Sequence, residues 1–232
     1  MDVCENVSGY DFQVEGATHA TFRKDRLMTG QAWDAITAGC LLHPREPETL
    51  LMLGLAGGTA VRQLRHLLPS TEIVAIEIDA EMVRIAKKYM GVDALSCEIL
   101  IADAHDFLTH DTRRFDVIVD DIYVSSLEEV EKPFAPTDRL FELFKDHLKP
   151  QGILCTNLVT GAGHRNVQTK TRKAFKRHFT EVRSITPPES HNETLIGGEV
   201  LGPVTQYVQR LAELPAPYDR AKWSELDTRR LK

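Results

Sequence analysis

The sequence predicts a doubly wound α/β fold: a mostly parallel sheet with helices on both faces. Three observations predict it. Strand-like and helix-like patterns alternate from about Glu48 onward. The strand segments are apolar through most of their length, as strands covered on both sides are. The first of them, Leu50-Leu51-Met52-Leu53, runs directly into Gly54-Leu55-Ala56-Gly57-Gly58 and then into a helical pattern. Such a turn lets backbone approach a ligand closely, because glycine tolerates positive φ and carries no side chain. The chain has 232 residues, 42% hydrophobic and 27% charged, enough to bury a core without staples.

In chain order, residues 1–47 read as an N-terminal lid or adaptor. A short strand is hinted at Thr18–Phe22, and a helix at Gln31–Leu42 is ended by Pro44 and Pro47. The catalytic domain is placed at 48–214. Its strands are read at 49–55, 72–77, 98–101, 115–120 and 152–157, followed by 181–185 and 193–197. The intervening helices are read at 58–68, 80–90, around Phe107 and Leu108, 137–148 and 166–178. The last 18 residues, 215–232, rich in proline and charge, are read as a peripheral tail.

Composition narrows the function. A net charge of −6 gives no global field for nucleic acid. The basic stretch Lys170–His178 alternates with Ala174 and Phe175 like a helix with one wet face. Cys4, Cys40, Cys97 and Cys155 share no metal-like spacing, and Cys97 and Cys155 sit in apolar runs as small hydrophobes. No apolar run approaches the ~20 residues that span a bilayer, and the N-terminus lacks the pattern of a signal peptide. A reduced, cytoplasmic protein is therefore expected.

In an open parallel sheet, ligands bind beyond the carboxyl ends of the strands. The first four strands close on Gly54–Gly58, on Glu77-Ile78-Asp79, on Ala102-Asp103-Ala104 and on Asp120-Asp121. Each brings glycine or a carboxylate to one edge. Glu77, some twenty residues past the glycines, is placed to accept hydrogen bonds from ribose hydroxyls. Asp103 is placed to accept from a purine amine, with Ile78 and Ala104 as apolar walls. Asp79 directly precedes a helix and reads as its N-cap. Asp120 falls beside the glycine turn, where the reacting end of a ligand would sit. The turn lacks G-x-G-x-x-G spacing and no P-loop is present, so a nucleoside with a short tail suits it better than a dinucleotide.

The stretches LLMLGLAGGT, AIEIDAEMV, IADAHDFL, FDVIVDDIY and LKPQGIL resemble the successive motifs of class I S-adenosylmethionine-dependent methyltransferases. More narrowly, they are similar to the spermidine synthase, or aminopropyltransferase, branch. The resemblance covers about residues 48–158. It implies a seven-stranded Rossmann-like sheet, with the adenosyl ligand on Gly54, Leu55, Ala56 and Gly58, Glu77 on ribose and Asp103 on adenine. S-adenosylmethionine is the cofactor it implies. The departures are informative. Where that branch carries an acid in a GGGDGG turn, this chain has Gly57. Where it reads D-S-S-D-P, this chain has Asp120-Asp121-Ile122-Tyr123-Val124, and only Trp33-Asp34 loosely matches its Tyr-His-Glu element.

With both polyamine-recognising carboxylates absent, the sequence favours intact S-adenosylmethionine and methyl transfer to a small-molecule amine or hydroxyl. Such catalysis is largely positioning for in-line displacement. Asp120 is the expected base, or orients the acceptor, and Tyr123 bonds the acceptor, closes an aromatic wall or packs as a loop aromatic. His19, His105, His164 and His191 are alternative bases. The acidic loop Ser125–Phe134 suits a cationic acceptor or is simply solvated, and Thr160–His164 is a gate or a long turn. Aminopropyl transfer from the decarboxylated donor is the alternative. A non-catalytic relative that binds an adenosyl ligand or a partner protein is a further one. A homodimer is the assembly expected.

Overall fold

A computed structural model describes residues 1–125, 130–161, 163–214 and 216–232. Residues 126–129 of the acidic loop, 162 in the turn after the fifth predicted strand, and 215 at the start of the tail lie outside the described residues.

The chain opens with an antiparallel sheet of β1 (Asp2–Asn6), β2 (Gly9–Val14) and β3 (Ala17–Arg23), then α1 (Ala32–Cys40). Next come β4 (Thr49–Leu53), α2 (Thr59–Leu67), β5 (Glu72–Glu77), α3 (Ala80–Tyr89), β6 (Cys97–Ile101), α4 (Ala104–His110) and β7 (Phe115–Asp120). A two-residue hairpin pair, β8 (Val124–Ser125) and β9 (Val130–Glu131), precedes α5 (Asp138–Asp146) and β10 (Leu148–Val159). The chain ends with α6 (Arg165–His178), β11 (Glu181–Thr186), β12 (Asn192–Gly198), α7 (Val204–Gln209), α8 (Pro217–Ser224) and β13 (Asp227–Arg230).

The main sheet has the order β13-β11-β12-β10-β7-β4-β5-β6. Strands β6, β5, β4, β7 and β10 run parallel, and β12, β11 and β13 extend them antiparallel. The predicted doubly wound α/β architecture is therefore present, with eight strands instead of seven. The eighth, β13, pairs with β11 from within the stretch read as a tail. Its sequence, Asp227-Thr228-Arg229-Arg230, is mostly exposed at a sheet edge and carries no apolar alternation to announce it. The same stretch buries Trp223, whose indole N–H donates to the Tyr207 carbonyl at 3.0 Å. Fully buried Asp219 accepts from the Leu27 and Met28 amides at 3.0 and 2.8 Å, tying α8 to the beginning of the chain.

Strand alternation divides the core in two. Leu50 and Met52 of β4 face a cluster with α1, α2 and α3, while Leu51 and Leu53 face one with α4, α5 and α6. The sheet reverses direction of winding at β4, with β5 on one side and β7 on the other. A crevice therefore opens above the carboxyl ends of these strands. The small antiparallel sheet is held beside it. Thr59, first residue of α2, donates its hydroxyl proton to the Thr21 carbonyl at 3.0 Å and accepts from the Thr21 amide at 2.9 Å. No helix among the described residues is long and apolar enough to cross a membrane.

Candidate functional site

The turn after β4 is built for close approach. Gly54 has φ +90°, Ala56 φ +46° and Gly58 φ +75°. A Cβ on Gly54 would lie 2.5 Å from the Asp121 carbonyl oxygen, so only glycine lets the chain leaving β7 pass this close. Glu77, at the end of β5, holds the turn in shape. Its Oε2 accepts from the Leu55 and Ala56 amides at 3.1 and 2.9 Å, and its Oε1 from the Asp79 amide at 3.1 Å. Asp79 caps α3 as expected, its Oδ1 accepting from the Glu81 and Met82 amides. Asp103 does the same for α4 through His105 and Asp106, a structural duty that the sequence reading did not assign to it.

These strand ends surround a cavity of about 810 Å³. Gly54, Ala56, Glu77, Ile78, Asp103, Ala104 and Tyr123 line it. Leu55 and Gly58 stand behind the wall: Leu55 is buried, and Gly58 is the N-terminal cap position of α2 under the Val92 side chain. Among the predicted bases, His19 and His164 also line the cavity, whereas His105 and His191 do not. Burial lowers the pKa of His19 below the ordinary histidine value, against the opposing pull of Glu77.

Asp120 departs from its expected place. It is buried and absent from the cavity wall; Oδ1 accepts from the Lys132 ammonium at 2.8 Å and Oδ2 from the Thr156 hydroxyl at 3.3 Å. The next residue, Asp121, lines the cavity in its stead. Its Oδ1 accepts from Asn157 Nδ2 at 2.8 Å, and burial pushes its carboxyl up to about 6. The side-chain period of two at a strand end explains the difference: neighbouring residues face opposite ways, and sequence alone does not say which faces the ligand. Tyr123 lines the cavity. Its hydroxyl donates to the Asn157 carbonyl and accepts from the Val159 amide, both at 2.9 Å, and burial raises its pKa. Its hydroxyl proton is thus engaged within the protein while the side chain stands in the cavity wall.

Asn157 organises this wall. Besides Asp121 and Tyr123 it engages Asn192, whose Nδ2 donates to Asn157 Oδ1 at 3.1 Å. An asparagine near a strand end is an ordinary sequence feature, so its role was not legible. Trp33 reaches the cavity from α1, whereas Asp34 is fully buried behind it, accepting from Thr29, Gly30 and Gln63. Burial raises the pKa of Asp34 despite those bonds.

Gly57 is not an empty position. A Cβ there would come closer than 3.0 Å to Ala20 Cβ of β3 and would lie 3.3 Å from Met90 Cγ. The space that a side chain needs is filled by a strand from the small sheet.

Residues 34–189 match the family model described as the spermine/spermidine synthase domain. A probable polyamine aminopropyl transferase of Bifidobacterium longum is 28% identical over 136 residues. That match takes 58% of this chain but only 29% of the relative, so the chain spans well under half of that protein's length. Among solved structures, spermidine synthase from Thermotoga maritima superposes with a TM-score of 0.71 at 19% identity, covering 96% of this chain and 78% of that one. Human methyltransferase-like protein 13 in complex with SAH gives 0.64 at 19% identity, covering 83% and 91%. The structural likenesses speak for the fold, and the family model spans more than half of the sequence: this chain belongs to the spermine/spermidine synthase family.

Proposed function

We propose that the chain transfers an aminopropyl group from decarboxylated S-adenosylmethionine to a small amine. The observation that carries this reading is the charge of the cavity. Glu15, Glu77, Asp79, Asp103 and Asp121 line it, and no lysine or arginine does so among the described residues. A methionine carboxylate would enter among these acids with no lysine or arginine of the described wall to meet it, whereas a sulfonium, a propylammonium and an amine acceptor all meet opposite charge. Family membership and the name of the Bifidobacterium relative support the same choice. Methyl transfer, favoured by the sequence on the strength of Gly57 and Tyr123, is the second reading, and those two residues remain the observation in its favour.

In the proposed mechanism, backbone at Gly54 and Ala56 takes the sulfonium end of the nucleoside. Glu77 accepts from ribose with lone pairs beyond those that hold the turn. Asp103 accepts from the adenine amine, and exposed Ile78 and buried Ala104 flank the ring. The acceptor nitrogen attacks the propyl carbon bonded to sulfur. The C–N bond forms as the C–S bond breaks, and the electron pair leaves on methylthioadenosine. The proton shed by the alkylated nitrogen passes to Asp121, whose elevated pKa suits a base working near neutrality. Calorimetric titration with the decarboxylated donor, the intact donor and methylthioadenosine tests the reading. Preference for the intact donor would restore methyl transfer, and silence from all three would remove both.

A further inference from the structure

The Lys132 side chain sits in surroundings made for someone else's ammonium. Its Nζ lies 2.8 Å from Asp120 Oδ1 and 3.5 Å from the Asp120 carbonyl oxygen, and 4.8 Å from the centre of the Tyr123 ring. A carboxylate, a carbonyl and an aromatic face form a receptor for an alkylammonium ion. The ion pair is nearly sealed, with 7% and 8% of the two side chains exposed. Taking two charges out of water is costly, and a methionine or leucine would pack a loop more cheaply. The pocket also borders the cavity. Tyr123 belongs to both, and Pro133 and Phe134, which follow Lys132, line the cavity. Asp120 directly precedes the cavity carboxylate Asp121.

We propose that Lys132 is a built-in ammonium that determines which amines this site accepts. By occupying the pocket between Asp120 and Tyr123, it leaves an incoming amine, among the described residues, only Asp121 to meet at this end of the cavity. Amines that need a second anchoring carboxylate there are thereby discriminated against. This rests on the proposed amine acceptor, but the pocket itself can be tested without donor or turnover. Beyond the Cβ that alanine would keep, the stem and ammonium of lysine match n-propylammonium, which becomes the probe.

In K132A, n-propylammonium should bind the vacated pocket and raise the melting temperature, by about 5 °C or more at a hundredfold excess over its dissociation constant. Tetramethylammonium at equal concentration, which has no N–H to donate, should leave it unchanged. Wild type should respond to neither, and the double variant D120N/K132A should lose the propylammonium response. If K132A fails to fold unaided, recovery of folded protein in propylammonium but not in tetramethylammonium is the same result read earlier. Equal responses of wild type and K132A, rescue that survives D120N, or failure to fold in both salts would overturn the proposal. None of these outcomes depends on aminopropyl transfer, so a failed transfer assay leaves the pocket standing, and the reverse.

Discussion

Restoring the missing acid of the glycine turn, Gly57→Asp, should unfold the chain more readily instead of creating a better polyamine enzyme. The new Cβ would fall within 3.0 Å of Ala20 Cβ, a separation that real Cβ atoms essentially never show. Met90 is flexible and can yield at 3.3 Å, but Ala20 cannot. Its strand is clamped one residue later, where Thr59 exchanges two hydrogen bonds with Thr21. Overpacking of a rigid contact costs about 1–3 kcal/mol. An unpaired carboxylate pressed against buried Ala20 and Met90 adds at least another ~1 kcal/mol. Taking about 3 kcal/mol in all, a chain of this length should lose about 6–12 °C in melting temperature. Urea denaturation followed by circular dichroism measures the loss, and adding Ala20→Gly should recover most of it. A Gly57→Asp protein as stable as wild type would refute the claim that β3 fills the position of the family's acid.

Two further outcomes follow from the wall of the cavity. Tyr123→Phe removes a hydroxyl that satisfies the Asn157 carbonyl and the Val159 amide. It should cost about 1–2 kcal/mol in a denaturation experiment while leaving nucleoside affinity unchanged; a large loss of affinity would show that the hydroxyl meets ligand. The Asp121 carboxyl, raised to about 6 by burial, must be ionised to take a proton. Below pH 6 it is mostly protonated, so kcat/KM should rise with pH through about 6 and then level off. The rise should vanish with the residual activity of Asp121→Asn, and a profile flat across pH 5–7 in wild type would remove this residue as the base.

Much of the layout was legible because the parallel strands are buried on both faces. The apolar runs ending at Leu53, Glu77, Ile101 and Asp120 mark β4, β5, β6 and β7 almost to the residue. The doubly wound sheet and the crevice at its carboxyl edge follow from their alternation with helices. Strands β1 and β2 were missed for the converse reason: β1 is nearly all exposed, and β2 is only half covered, so neither carries a sustained apolar signal. Strand β13 escaped notice likewise. The partnership of Lys132 with Asp120 spans twelve residues across an acidic loop, and no periodicity links them. The exchange of places between Asp120 and Asp121 depends on where β7 ends and how its last residue is turned. Gly57 was recognised as a departure, but only the placement of Ala20 explains why a side chain is excluded there.

The most direct measurement is the ratio of dissociation constants for decarboxylated and intact S-adenosylmethionine, obtained by titration calorimetry of the wild-type chain. An acidic cavity lined by no lysine or arginine among the described residues should hold the decarboxylated donor at least tenfold more tightly, a difference of about 1.4 kcal/mol. Equal affinity, or tighter binding of the intact donor, would contradict the account.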